Sequence, residues 1–335
     1  MIDLRSDTVT RPTPDMLKAM NEADLGDDVF DDDPTVDQLE ALAAETLGKE
    51  TSMFVPSGTQ SNLAALMTHC GRGDEYLVGQ QAHTYLFEGG GGATLGCLQP
   101  QPIDQEPDGT LDLEKLAALI KPDDYHYART RLLCLENTTW GKVLPQDYLA
   151  AAKSFADEHG LALHLDGARI FNAAVAQGIS ASEVAAPFDS VSACLSKGLG
   201  CPVGSVLAGP ADFVKEARRW RKMLGGGMRQ SGILAAAGIH ALQNHVDRLT
   251  EDHEHHHRYV AIQRVSPRRW LFVQPFVSLV DNLVAAPQSI EQSKVIVKPE
   301  GMESKGLTRR SPGFIFFREL QKNGAAGDGT CGPFG

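Results

Sequence analysis

Residues 130–138, TRLLCLENT, residues 148–160, YLAAAKSFADEHG, and residues 161–166, LALHLD, decide the fold. The first and third are apolar runs of strand length. The segment between them carries its apolar residues at helical spacing and stops at Gly160. Upstream, residues 48–70, GKETSMFVPSGTQSNLAALMTHC, read as strand, turn and helix. Downstream, residues 188–196, FDSVSACLS, read as another buried strand that runs into a lysine loop. Strands alternating with helices predict an α/β fold, a mostly parallel sheet covered by helices on both faces. Ligands of such sheets bind at the carboxyl ends of the strands.

Two residues fall at those ends. Asp166 closes LALHLD before Gly167, and Lys197 follows FDSVSACLS between Ser196 and Gly198. Either alone reads as a helix cap or a surface lysine. Together they suit pyridoxal 5'-phosphate: the lysine amine can reach its aldehyde, and the aspartate can pair with its pyridine nitrogen. A ring kept protonated in this way is an electron sink. In VPSGTQSN, Ser57, Gly58 and Thr59 lie between a strand and a helix. That is an ordinary N-cap or, beside the other two residues, an anion site for the phosphate.

Other polar residues are candidates of the same site. His83, in GQQAHTYLFEGGGGA, could lie on the cofactor ring or move a proton, and His126, in PDDYHYARTR, could serve as base or hydroxyl anchor. Sequence does not rank them. The bland reading of the first segment makes His83 a solvent-exposed helix-start residue, with Glu88 and the glycines after it a helix end and loop. Arg169 suits a substrate carboxylate, which guanidinium binds bidentately. Lys222 and Arg229 flank a glycine run that suits a phosphate, although a solvated basic helix end is the commoner cause of such a cluster. The acidic segment with Asp27, Asp28, Asp31, Asp32 and Asp33 lacks the spacing of an EF-hand and reads as a turn before a helix. No metal site is expected.

Composition bounds the rest. The chain has 335 residues, room for a large α/β domain and a smaller one, and its hydrophobic content of 42% is that of a soluble globular protein. A net charge of −12 argues against nucleic acid or an anionic membrane as partner. No apolar run reaches the length of a bilayer span, and MIDLRSDTVTRP has no signal-peptide core. Six scattered cysteines with no CxxC pair suit a reducing cytoplasm.

The segments MIDLRSDTVTRPT, GDDV…DDPT, VPSGTQSN, GQQAHTYLFE, LCLENT…GKVLP, LHLDGARIFNA, CLSKGLGCPVGS and KMLGGGMRQSGILAAAG occur in order through about residue 258. In these the chain resembles the low-specificity L-threonine aldolases, enzymes of the fold-type I, aspartate-aminotransferase-like class. The resemblance implies pyridoxal 5'-phosphate bound through Lys197, with Asp166 at the ring nitrogen and His83 stacked on the ring. It implies a phosphate held by Gly58 and Thr59, with Lys222 and Arg229 supplied by a neighbouring subunit, and a substrate carboxylate held by Ser6 and Arg169. It implies retro-aldol cleavage of L-threonine or L-allo-threonine, a small β-hydroxy-α-amino acid, to glycine and acetaldehyde in a homotetramer built of dimers. The competing readings are another enzyme of this class, a β-eliminating lyase or an aminotransferase, and a catalytically dead homologue.

The chain departs from the family pattern in three places. Thr139 and Trp140 follow LENT where the family commonly has His-Asn, and Phe30 and Asp31 stand where it has Tyr-Gly. The arginine segment that closes the family's small domain does not occur, and Arg309 and Arg310 do not match it. Residues 1–258 are therefore expected to form the cofactor-binding large domain with an N-terminal arm. Residues 259–335 carry ten Lys and Arg against six Asp and Glu, scattered Pro and Gly, and no sustained period. They are expected to be an atypical, poorly formed C-terminal region, of shifted reading frame or divergent origin.

Overall fold

The computed structural model describes residues 6–255. The expectations for residues 259–335, Arg309 and Arg310 included, lie outside the described residues. Helices α1 (Pro14–Asn21) and α2 (Pro34–Leu47) come first. Both start where the sequence caps them. Thr13 Oγ1 accepts from Met16 N at 3.2 Å, Asp33 Oδ1 accepts from Thr35 N and Val36 N, and a proline opens each first turn. The acidic segment is the turn predicted for it.

Then follow β1 (Thr51–Val55), α3 (Gly58–His69), β2 (Glu75–Gly79), the short helices α4 (His83–Leu86) and α5 (Gly91–Thr94), β3 (Gln99–Ile103) and α6 (Leu113–Leu119). The stretch that decided the fold forms β4 (Thr130–Glu136), α7 (Gln146–His159) and β5 (Ala162–Asp166). Gly160 ends α7 in the left-handed region, φ 63°. Next come α8 (Ile170–Gln177), α9 (Ala181–Ala185), β6 (Ser190–Cys194), β7 (Ser205–Gly209), α10 (Ala211–Met223) and α11 (Gly232–Asn244).

The seven strands form one sheet in the order β1-β7-β6-β5-β4-β2-β3. Only β7 runs against its neighbours; the other pairings are parallel, as the sequence predicts. Strand periodicity sorts the core into two layers. Leu133 and Leu135 of β4, Leu163 and Leu165 of β5 and Val191 of β6 pack with α2, α7 and α8 on one face. On the other, Leu132 and Cys134 pack with Leu66 of α3, while α3 and α10 cover Met53, Val55 and Leu207. The second face carries a polar seam: His164 and Asp166 of β5 stand in register with Ser190 and Ser192 of β6. Ser61 of α3 meets this seam, its hydroxyl 2.7 Å from that of Ser192. No helix among the described residues is long and apolar enough to cross a membrane.

Candidate active site

Asp166 ends β5 and is 2% exposed. Its Oδ1 accepts from Ala168 N at 3.1 Å and its Oδ2 from Asn62 Nδ2 at 2.9 Å. Among the described residues no cationic side chain pairs with it. A buried carboxylate surrounded by donors, with no counter-ion of its own, is the group a protonated pyridine nitrogen would complete. Gly167 behind it has to be glycine, because a Cβ there would lie 2.7 Å from the carbonyl oxygen of Ser192.

Asn62 ties Asp166 to a second carboxylate. Its Nδ2 also donates to Glu88 Oε1 at 2.8 Å, and that oxygen is 2.9 Å from His83 Nδ1. Ligand atoms of His83, Glu88 and Asp166 all lie within 4.8 Å of one another. A third carboxylate supports the first turn of α4: Glu136, at the end of β4, accepts from His83 N at 2.8 Å. The hydrogen bond to Glu88 raises the His83 pKa against the opposing effect of burial. Burial raises Glu88, and burial with the nearby charge of Asp166 pushes Glu136 up to about 7. With Nδ1 turned to Glu88, the accessible ring nitrogen of His83 is Nε2.

Lys197 lies on the loop after β6, half-buried. Its carbonyl accepts from Gly200 N at 2.8 Å and from Thr10 Oγ1 at 2.7 Å, so the N-terminal segment pins the loop. Its charge is felt by His83, Glu136 and Cys194, which places the amine at the same carboxyl-end cleft. Gly58 opens α3 after Ser57, whose Oγ accepts from Gln60 N at 3.2 Å. The amides of Gly58 and Thr59 are first-turn donors that no preceding helical carbonyl reaches. A Cβ on Gly58 would stand 2.7 Å from Cys194 Sγ, so the helix start can approach β6 only as glycine.

Arg169 is engaged already. Its Nε donates to Asp7 Oδ2 at 2.7 Å and its Nη2 to Asp7 Oδ1 at 2.8 Å, and Asp7 is fully buried. Burial works against the guanidinium charge, and Asp7 more than offsets it. The remaining Nη1 edge is what Arg169 can offer a carboxylate. Ser6 sits next to Asp7 and caps the turn Asp7–Val9, its Oγ accepting from Thr8 N at 3.2 Å.

The remaining predicted residues are not in this cluster. Lys222, in the last turn of α10, is exposed. Arg229 lies beyond the glycine run, its Nη1 2.9 Å from Asp27 Oδ2 and its guanidinium 5.9 Å from the ring centroid of Phe30. Gln60 Nε2 donates to Leu224 O at 3.2 Å and ties that loop to the start of α3. His126 belongs to the loop before β4, bound to Asp124 at 2.6 Å. β4 runs from there to Glu136, so about 20 Å of strand separates His126 from the cluster in its own chain. Of the two histidines, His83 lies in this cluster, and His126 stands at the opposite end of β4 in the same chain. Of the family departures, Trp140 Nε1 donates to Gln81 O at 2.9 Å, and its ring is 6.3 Å from Phe87, itself 5.7 Å from His83.

Sequence reasoning missed Asn62, Glu136 and Asp7, and gave Glu88 no part in the site, placing it only in the bland reading as a helix end. His164 was visible as a polar residue inside an apolar strand, two positions from Asp166 and on the same face.

A sheet of this topology with a lysine, a buried aspartate and a helix N-terminus at its carboxyl edge defines a class, and the comparisons refine it. Residues 3–268 match the beta-eliminating lyase family. A low-specificity L-threonine aldolase of Escherichia coli K12 is 64% identical over 254 residues, 76% of each chain. A Schizosaccharomyces pombe relative, also named for low-specificity L-threonine aldolase, is 41% identical over 320 residues, 95% of this chain and 83% of its own. Among solved structures, a threonine aldolase of Leishmania major superposes with a TM-score of 0.71 at 21% identity, over 82% of this chain and 83% of that one, and so shares the fold. The chain belongs to the beta-eliminating lyases and, among them, to the low-specificity L-threonine aldolases.

Proposed function

We propose that the chain cleaves L-threonine and L-allo-threonine to glycine and acetaldehyde with pyridoxal 5'-phosphate as cofactor. The observation that carries this reading is Asp166, buried without a counter-ion among the described residues, in the cleft that also holds Lys197 and the His83–Glu88 pair. The membership of the low-specificity L-threonine aldolases supports the choice of reaction. Lys197 would hold the aldehyde, Asp166 the ring nitrogen, and Gly58 and Thr59 the phosphate. Bound there, the cofactor supplies an electron sink for the pair released when the Cα–Cβ bond breaks.

The chain's own residues supply position and proton transfer. Asp7 fixes the plane of Arg169, so the free Nη1 edge can grip the substrate carboxylate in one orientation, with the Ser6 hydroxyl beside it. Glu88 holds the Nδ1 hydrogen of His83, which leaves the Nε2 lone pair to take the proton of the β-hydroxyl. The Phe87 ring stands 5.7 Å from that of His83 and 6.3 Å from that of Trp140 on the same side of the cleft. We propose a homotetramer in which Lys222 and Arg229 serve the phosphate of a neighbouring copy. The exposed Phe30, Leu86, Phe87 and Met223 support such burial between copies. Location in the cytoplasm belongs to the same reading.

The test is product analysis with purified chain. Glycine and acetaldehyde in equal amounts from L-threonine are expected. Pyruvate from serine, or a 2-oxo acid by transamination, at comparable rates would replace the aldolase reading with a β-eliminating lyase or an aminotransferase.

A further inference from the structure

A line of polar side chains runs from Asp166 through the core beneath α3. Asn62 Nδ2 donates to the carboxylates of Asp166 and Glu88 at 2.9 and 2.8 Å. Only an amide nitrogen can meet two carboxylates, so its Oδ1 must face the other way. There it lies 3.4 Å from Nε2 of His164, a fully buried residue in the middle of β5. Nδ1 of His164 is 2.8 Å from Ser190 Oγ, on the adjacent strand and in register with it. Ser190 Oγ is in turn 2.6 Å from Nε2 of His69, in the last turn of α3, whose ring stacks on Phe213 at 4.6 Å.

The acceptors fix the direction of each hydrogen. An amide oxygen only accepts, so Nε2 of His164 carries the hydrogen and, in a neutral ring, Nδ1 is the acceptor. Ser190 then gives its hydroxyl hydrogen to His164 and must accept from Nε2–H of His69. Every hydrogen in the line points towards Asp166. Both rings are kept neutral by burial, which lowers His69 to about 4 and His164 to about 3. Asp189 opposes this at His69 and a main-chain hydrogen bond with Ser190 opposes it at His164, while Asp166 and Glu88 lie beyond Asn62. Successive hydrogen bonds that run in one direction polarise one another.

Resting on the reading that Asp166 faces the cofactor's ring nitrogen, we propose that His69, Ser190, His164 and Asn62 are positioning residues, a one-way hydrogen-bond chain that keeps Asp166 an acceptor opposite that nitrogen. The chain makes the far end of α3 part of the site although no residue there touches it.

Nitrogen NMR of histidine-labelled full-length chain, with and without pyridoxal phosphate, tests the direction. His69 and His164 should both stay in the neutral Nε2–H form from about pH 5 to 9. His164→Leu should weaken pyridoxal phosphate binding by roughly threefold to tenfold and shift the pH midpoint of its visible band. His164→Gln, which keeps one donor and one acceptor, should restore both. Should His164→Leu fail to fold, Ser190→Ala interrupts the same line at a smaller residue, with the same expectation. A Nδ1–H form of either histidine, or an interrupted line with unchanged affinity and midpoint, overturns the proposal. If the unmodified chain binds no pyridoxal phosphate, the functional reading fails instead, and the ring forms measured without cofactor still decide the direction of the chain.

Discussion

The floor and the rim of the cleft are built differently. On the floor, Asp166, Asn62 and Glu88 are almost inaccessible to solvent and Glu136 and His83 are half-buried, and each is hydrogen-bonded to another member or to the backbone. On the rim, Lys222 is exposed, and Arg229 is 55% exposed and leans on a surface aspartate. The floor is complete within one chain. The rim displays basic groups that one chain does not use up. Burial makes the difference energetic: a buried polar group left unpaired costs about 1–3 kcal/mol, an exposed ion pair contributes about 0–1 kcal/mol.

The largest effect expected is on the floor. Lys197→Ala should leave no cofactor linkage for borohydride to trap, and cleavage of L-threonine should fall to background. A trapped cofactor on another lysine would move the site. His83→Ala should lower kcat by about 10²–10⁴-fold, the usual contribution of a general base. Unchanged turnover in that variant would return the proton-transfer role to another group.

Asn62→Ala removes the donor shared by Asp166 and Glu88, and should cost about 1–3 kcal/mol in unfolding by urea. A cost under half a kcal/mol would mean that the floor is not the tight network its distances describe. Glu136 sharpens the contrast through pH. Its pKa is raised to about 7 in the fold, so the folded state holds a proton that the unfolded chain releases near the usual glutamate value of about 4.5. Stability from this group is therefore present below about pH 4.5 and is lost as pH rises to about 7. Glu136→Gln should flatten that decline in thermal unfolding; an unaltered pH profile would exclude Glu136 as its source.

The smallest effect belongs to the rim. Arg229→Ala should change stability by about half a kcal/mol or less, because its partner is a surface aspartate. It should still weaken pyridoxal phosphate binding if a neighbouring copy uses it. Destabilisation beyond about 1 kcal/mol would erase the distinction between floor and rim.

The legible part of this protein was local. The alternation of residues 48–70 and 130–196 predicted the parallel sheet, and Asp166 and Lys197 were placed at strand ends because strand boundaries are written in short windows. The helix stop at Gly160 was legible for the same reason.

What only the tertiary structure decided was pairing between distant residues. His83 and His126 look alike in sequence; the direction of β4 sends one to the carboxyl edge and leaves the other at the far end. Asn62 meets Asp166 across 104 positions, and Arg169 meets Asp7 across 162. Secondary structure follows from the spacing of neighbours along the chain. The choice of partner for a buried polar group follows from strand order and register, and these are set by the packing of the whole sheet against its helices.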